Sequence, residues 1–268
     1  MVIDLEIMSR NTEASLCSPF KWCHIPEGRV ALQDAAAFGG TRGGQFHLAD
    51  FAIAKYPITN GQYECFLEDP NGFRNGRWWD YSLEAGQWHK ERLQPKPTAF
   101  DGPDLPRTRV SWFDSLAFCA WLSDRLYRSV KGNPLNVPDL DSWCVRLPTE
   151  KEWQRAALGD RDWQYPWGNQ FEENKGNYGK VVGHPTKVGS YPQGQSPYGA
   201  MDMIGNVWEW CLSPWGKEGE DVGGYTYRVF RGGAWNVSNP EHLSPTDRYG
   251  HPPRGRLNDV GFRIAYCY

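Results

Sequence analysis

No run of apolar residues in this 268-residue chain approaches the roughly 20 that a membrane-spanning helix requires. The first ten residues, MVIDLEIMSR, carry acids and lack the apolar stretch of a secretory leader. Both absences lead to the expectation of a soluble, cytoplasmic protein with no membrane contact. Charge of one sign is scarce too: 29 Lys and Arg against 32 Asp and Glu leave a net −3. That is too little positive charge for a dedicated nucleic-acid binder, whose affinity rests on neutralising phosphates. The seven cysteines (Cys17, Cys23, Cys65, Cys119, Cys144, Cys211 and Cys267) contain no CxxC pair. Neither zinc nor a disulfide framework is therefore expected, and most of them should be buried thiols.

What the chain does have is aromatic surface and punctuation: 14 Trp and 13 Tyr beside 29 Gly and 20 Pro. Many turns and few long elements follow, an α+β class of irregular architecture. Residues 1–22 show no firm periodicity and read as an N-terminal extension, and no linker divides 23–268, so one domain is expected. QFHLADFAIAKYPIT alternates well enough for strands, and Thr59 then caps a helix, NGQYECFLED, ending at Pro70. Residues 71–109, rich in Gly, Pro, Trp and charge, read as a long surface excursion able to shape a binding face. Ser111 and Asp114 form a capping box before the clearest helix, WFDSLAFCAWLSDRLYR, with Phe113, Leu116, Ala117, Ala120 and Trp121 as its apolar stripe. Thr149 and Glu152 cap a third helix in LPTEKEWQRAA, beyond which only short apolar pieces remain.

Six strings occur in order: AKYPITNGQYECFL, VSWFDSLAFCAWLS, VRLPTEKEWQRAA, YPWGN, GAMDMIGNVWEW and RVFRGGAW…VGFRIA. Together they resemble the formylglycine-generating-enzyme, or sulfatase-modifying-factor, domain from about His24 to Tyr268. The resemblance implies a C-type-lectin-like fold. In the family's enzymes two cysteines shortly after the RGG motif bind copper, soft thiolates suiting Cu(I). Counted from Gly232 and Gly233, those positions fall on Val237 and His242, and no Cys occurs between Cys211 and Cys267. Copper chemistry and formylglycine-generating activity are thus not expected, and the chain reads as a non-enzyme.

Residues 231–263 are further similar to the variable region of the variable proteins of diversity-generating retroelements, whose C-terminal segment is rewritten at adenines to change ligand binding. The frame R-G-G-A-W-N…N-P-E…R…R…V-G-F-R matches. Between the frame residues stand Val237, Ser238, His242, Asp247, Tyr249, Gly250, His251, Gly255, Leu257, Asn258 and Asp259, all reachable from an Asn codon by changing its two adenines. Ser244 also lies at such a position, although the template residue there is often Arg. The palette of Tyr, His, Asp, Asn, Ser and Gly is that of antibody loops. An ordinary polar, turn-rich tail is the alternative reading of the same composition. Arg231, Trp235, Arg248, Phe262 and Arg263 would anchor the variable positions to a rigid scaffold.

The resemblance also implies Ca²⁺ in GAMDMIGNVWEW, held by Asp202, Gly205, Val207 and Glu209, hard oxygen donors that suit this ion. Glu209 as a hydrogen-bond acceptor with no ion is the competing reading. The leading expectation is a ligand-binding variable protein with a macromolecular partner, a protein rather than a small molecule. One alternative is a superfamily oxidoreductase with non-cysteine metal chemistry, an iron-dependent oxidase for instance. The six histidines (His24, His47, His89, His184, His242 and His251) lack the HxxxH-like spacing such a site would use. The other alternative is a sensory domain that works with a signalling protein.

Overall fold

Each capping signal opens a helix in the computed structural model, which describes residues 20–35, 42–131 and 144–267. Thr59 accepts the Gln62 amide and the Gln62 side chain returns to the Thr59 amide, starting α1, Asn60–Glu68. An unexpected helix follows, α2, Leu83–Glu91, capped by Ser82. Ser111 and Asp114 cap one another reciprocally at the start of α3, Trp112–Lys131. Thr149 and Glu152 do the same for α4, Glu150–Leu158.

Among the described residues, ten short strands accompany these four helices: β1 Trp22–Ile25, β2 Gly28–Leu32, β3 Gly44–Leu48, β4 Phe51–Ala54, β5 Cys144–Arg146, β6 Trp208–Pro214, β7 Arg228–Arg231, β8 Tyr249–His251, β9 Val260–Phe262 and β10 Ala265–Cys267. They form sheets of order β1-β4-β10-β5, β2-β3 and β8-β7-β6-β9. The last strand of the chain lies beside one of the first, Ala265 opposite Ile53. Phe20 is buried and β1 begins at Trp22.

The third sheet positions the candidate site. All seven residues of β6 are buried because the sheet is covered on both faces. Alternation along β6 and β7 sends Trp208, Trp210, Leu212 and Phe230 into the α3 core, and Cys211 and Val229 towards Trp153, Ala156 and Ala157 of α4. β9 runs parallel to β6, Trp208 opposite Val260, and β8 forms the far edge antiparallel to β7.

The stretch 71–109 is only partly the surface excursion expected. Phe73, Trp78, Trp79, Ala85 and Trp88 are buried against α3, with His89 stacked 4.1 Å from Trp79. Burying such aromatics contributes about 1.5–3 kcal/mol each, which a polar average composition conceals. Cys23, Cys119 and Cys211 are buried thiols outside any disulfide, as expected, whereas Cys65 is disulfide-bonded. Among the described residues no helix is long and apolar enough to cross a membrane.

Candidate recognition site

The frame residues Arg231, Arg248, Phe262 and Arg263 are buried, and the three guanidinium groups converge on two carboxylates. Glu150, the first residue of α4, receives both ends of the segment's first half. Arg248 donates to it through Nε at 2.7 Å and Nη2 at 2.6 Å, and Arg231 through Nη1 at 3.2 Å. Arg231 also donates to Gln154 Oε1 at 2.6 Å and to the Pro245 carbonyl. Burial pulls the Arg231 guanidinium below its ordinary range, and Glu150 beside it opposes that shift. Arg263, after β9, pairs with Glu209 of β6, Nη2 to Oε1 at 2.6 Å, and donates to the Met201 and Ala54 carbonyls. Such charge-assisted, two-pronged pairs fix geometry as well as energy. Phe262 lies in the core, and half-buried Trp235 meets Phe100 edge-on at 5.9 Å.

None of the twelve candidate binding residues is buried. Ser238, His242, Leu257 and Asn258 are exposed; Val237, Ser244, Asp247, Tyr249, Gly250, His251, Gly255 and Asp259 are half-buried. The structure gathers some of them. Tyr249 on β8 rests edge-on against Trp208 at 5.0 Å and stacks on Phe230 at 6.1 Å, and its hydroxyl meets His242 Nδ1 at 2.7 Å. Asp247 Oδ2 lies 3.9 Å from the same nitrogen. Burial pushes the Asp247 carboxyl up, and His242 beside it pulls it back. His251 continues this face against Trp210 and Phe230, and Val237 packs at the core margin.

Others point elsewhere. Gly250 faces the opposite side of β8, where a Cβ would come within 2.5 Å of the Trp215 ring. A Cβ on Gly255 would meet the His251 ring at 2.4 Å. Ser244 bonds Thr246 at 2.8 Å, and Asp259 accepts from Asn236 at 2.9 Å. Leu257 and Asn258 sit over the start of α3. There Arg109 donates its amide to the Leu257 carbonyl at 2.9 Å, and Arg256 forms two 2.8 Å bonds to the buried Asp114.

The ligands assigned to Ca²⁺ do not form a calcium site. Glu209 is fully buried, and its oxygens are committed to Arg263 and to Trp153 Nε1 at 2.7 Å. A divalent cation there would displace or abut a guanidinium, so the residues present do not fit the ion. Asp202 adopts φ 57°, accepts the Gly189 amide at 2.7 Å, and has its carboxyl pushed up to about 6 by burial. Gly205 is confined by the Asn177 carbonyl, 2.4 Å from where a Cβ would stand, and Val207 is buried. No group of three or more His, Cys, Asp or Glu able to hold a metal occurs among the described residues.

Two features escape sequence reasoning. Glu150 looks like an ordinary first-turn acid, with only its place beside a capping Thr to single it out. Trp215 and Tyr225 lie in a Gly-rich stretch with no motif of its own.

Known proteins share this fold. The sequence matches the sulfatase-modifying factor enzyme 1-like domain over residues 15–267. It is 32% identical to hercynine oxygenase of Mycobacterium tuberculosis over 82% of this chain, and spans 54% of that protein's length. To inactive C-alpha-formylglycine-generating enzyme 2 of Mus musculus it is 29% identical, covering 90% of this chain and 84% of that protein. Its fold is that of Treponema denticola variable protein 1, with a TM-score of 0.64 at 22% identity over 92% of this chain and 95% of that one. The architecture is therefore the C-type-lectin-like fold in its formylglycine-generating form, and the chain belongs to the sulfatase-modifying factor enzyme 1-like family.

Proposed function

We propose that this chain is a binding protein of the retroelement-diversified type, which presents residues 237–259 to a protein partner. One observation carries the reading: side chains that alternate along a single segment divide into buried, ion-paired frame residues and accessible candidate contacts. Arg231, Arg248 and Arg263 hold the backbone through Glu150 and Glu209, while His242, Tyr249, Leu257 and Asn258 remain at the surface. A scaffold of this kind keeps its shape while its contact residues change. The positions of the enzymes' copper cysteines hold Val237 and His242, and a relative described as inactive supports a non-catalytic role.

Two tests bear on it. The DNA beside the gene should contain a near-copy of the last forty or so codons, differing at adenines, with a reverse-transcriptase gene nearby. A display library randomised at the candidate positions other than Gly250 and Gly255 should fold and yield binders to test proteins, whereas one randomised at Arg231, Arg248 and Arg263 should not fold. Failure of the first library to yield either folded protein or binders would sink the reading.

The likeness to hercynine oxygenase, of which the chain spans about half, favours a second reading, an oxidoreductase with non-cysteine metal chemistry. Stoichiometric iron in purified protein would support it.

A further inference from the structure

Residues 179–184 form a turn that is exposed along its whole length, whereas Asn177, Tyr178 and Pro185 at its base are buried. Val181, at 89% exposure, is the most exposed large hydrophobic residue among those described, and Val182 beside it is 38% exposed. Single apolar residues on a surface are ordinary. Two in succession on one projecting turn leave adjoining aliphatic surface in water, which is unfavourable for the free chain and favourable to bury.

The turn is clamped at both ends. The Gly179 amide donates to the Val237 carbonyl and the Lys180 amide to the Trp235 carbonyl, each at 2.8 Å. Where the chain returns, Asn177 Nδ2 donates to the His184 carbonyl at 2.9 Å. Asn206 then holds Thr186 twice, its Oδ1 accepting the Thr186 amide at 2.9 Å and its Nδ2 donating to the Thr186 carbonyl at 3.2 Å. Gly179 at φ 71° and Gly183 at φ 81° bracket the valines in left-handed conformations. Lys180 adopts one as well, at φ 60°, where a side chain makes it unfavourable. A residue so placed is held by its surroundings, and strain of this kind gathers at ligand-clamping and switch segments. A tip fixed in advance loses little freedom on docking, and valine adds only one stiff side-chain torsion to that loss.

The bonds to Trp235 and Val237 place the turn directly against the start of the candidate variable residues. Both use main-chain atoms, so neither depends on which side chain stands at position 237. The valines therefore keep their place while the residues beside them change.

We infer that Val181 and Val182 form a fixed apolar prong of the recognition face, which enters an apolar cavity on the protein partner while the C-terminal segment contacts the cavity's rim. Aliphatic side chains gain free energy only where the partner also excludes water, so a cavity suits them and a flat polar surface does not. The inference rests on the reading of the chain as a binding protein and deepens it, naming the partner's surface chemistry.

Calmodulin tests this with one target in two states, because calcium opens an apolar, methionine-rich groove in it. A full-chain display library randomised at positions 237, 238, 242, 247, 249, 251 and 258 is selected against calcium-loaded calmodulin and, separately, against calmodulin in EDTA. In binders to the loaded form, Val181→Ser with Val182→Ser should weaken affinity by at least about tenfold and leave the melting temperature unchanged. In binders to the calcium-free form the same pair should cost less than about threefold. Loaded-form binders indifferent to the pair would overturn the prong and leave the binding-protein reading standing. Equal losses in both sets would overturn the apolar cavity, and a fall in melting temperature would make the valines structural and overturn the inference too. A library with no binders to either form would defeat both readings. Sedimentation of the parent chain with phosphatidylcholine vesicles, lost in the double variant, would replace the protein partner with a lipid surface and overturn the inference.

Discussion

Replacing Glu150 by Gln isolates the clasp that holds the candidate recognition segment. The carboxylate is nearly inaccessible and answers two guanidinium groups of 0% and 2% side-chain exposure, Arg231 and Arg248. Gln preserves volume and one carbonyl acceptor but removes the charge, leaving two buried cations to share Gln154, the Pro245 carbonyl and the Gln33 carbonyl. Stripping one partner from a buried ion pair costs about 3–5 kcal/mol. Because Gln still accepts one bond, the lower end, about 3 kcal/mol, is the expected loss. In a chain of this size that corresponds to a fall in Tm of roughly 6–12 °C. Equilibrium urea denaturation followed by tryptophan fluorescence measures the free energy, and calorimetry the temperature. His242→Ala and Leu257→Ala in parallel should each change stability by about 0.5 kcal/mol or less, because both side chains are exposed. A loss below about 1 kcal/mol for Glu150→Gln, or a larger loss for either exposed substitution, would refute the division into frame and surface.

Gly250→Val should cost about 1–3 kcal/mol, since its Cβ meets the Trp215 ring at 2.5 Å, and adding Trp215→Ala should recover part of that loss in the same denaturation assay. Asp202 contributes stability that is fully present below the ordinary carboxyl pKa of 3.8 and is lost as pH rises through about 6, because its folded value is raised. Asp202→Asn should therefore be more stable than the parent at pH 8, by up to about 3 kcal/mol, and show a flatter stability curve between pH 4 and 7; an unchanged pH profile would count against the burial effect. With Glu209 committed to Arg263 and Trp153, millimolar Ca²⁺ or EDTA should leave Tm unmoved, and a rise of several degrees in Ca²⁺ would show that the ion displaces the guanidinium.

Local signals in the sequence carried far. Thr59, Ser111 and Thr149 each cap the helix that follows, because a capping box acts within four residues and needs no tertiary context. The frame arginines were legible as anchors from their regular interruption of a polar segment. Their partners were not: Glu150 is 98 residues from Arg248, and Asp114 is 142 from Arg256, separations over which one sequence carries no pairing signal. Asp114 illustrates the ambiguity, since the same carboxylate caps α3 and receives Arg256. Gly250 counts as a contact position by its place between the frame residues and its reach from an Asn codon. The alternation of β8 instead turns it towards Trp215, a consequence of strand register that composition does not encode. The aromatics of 71–109 failed for a similar reason, as Gly, Pro and charge around them hid the face that packs on α3.

Because Arg231 and Arg248 grip one carboxylate, the sixteen residues between them begin and end at the same point of the scaffold. Such a segment is a cassette. An entire 232–247 stretch could be exchanged between relatives as one piece, provided that both arginines and Glu150 travel with the recipient, and heritable novelty could then accumulate there without renegotiating how the rest of the protein folds.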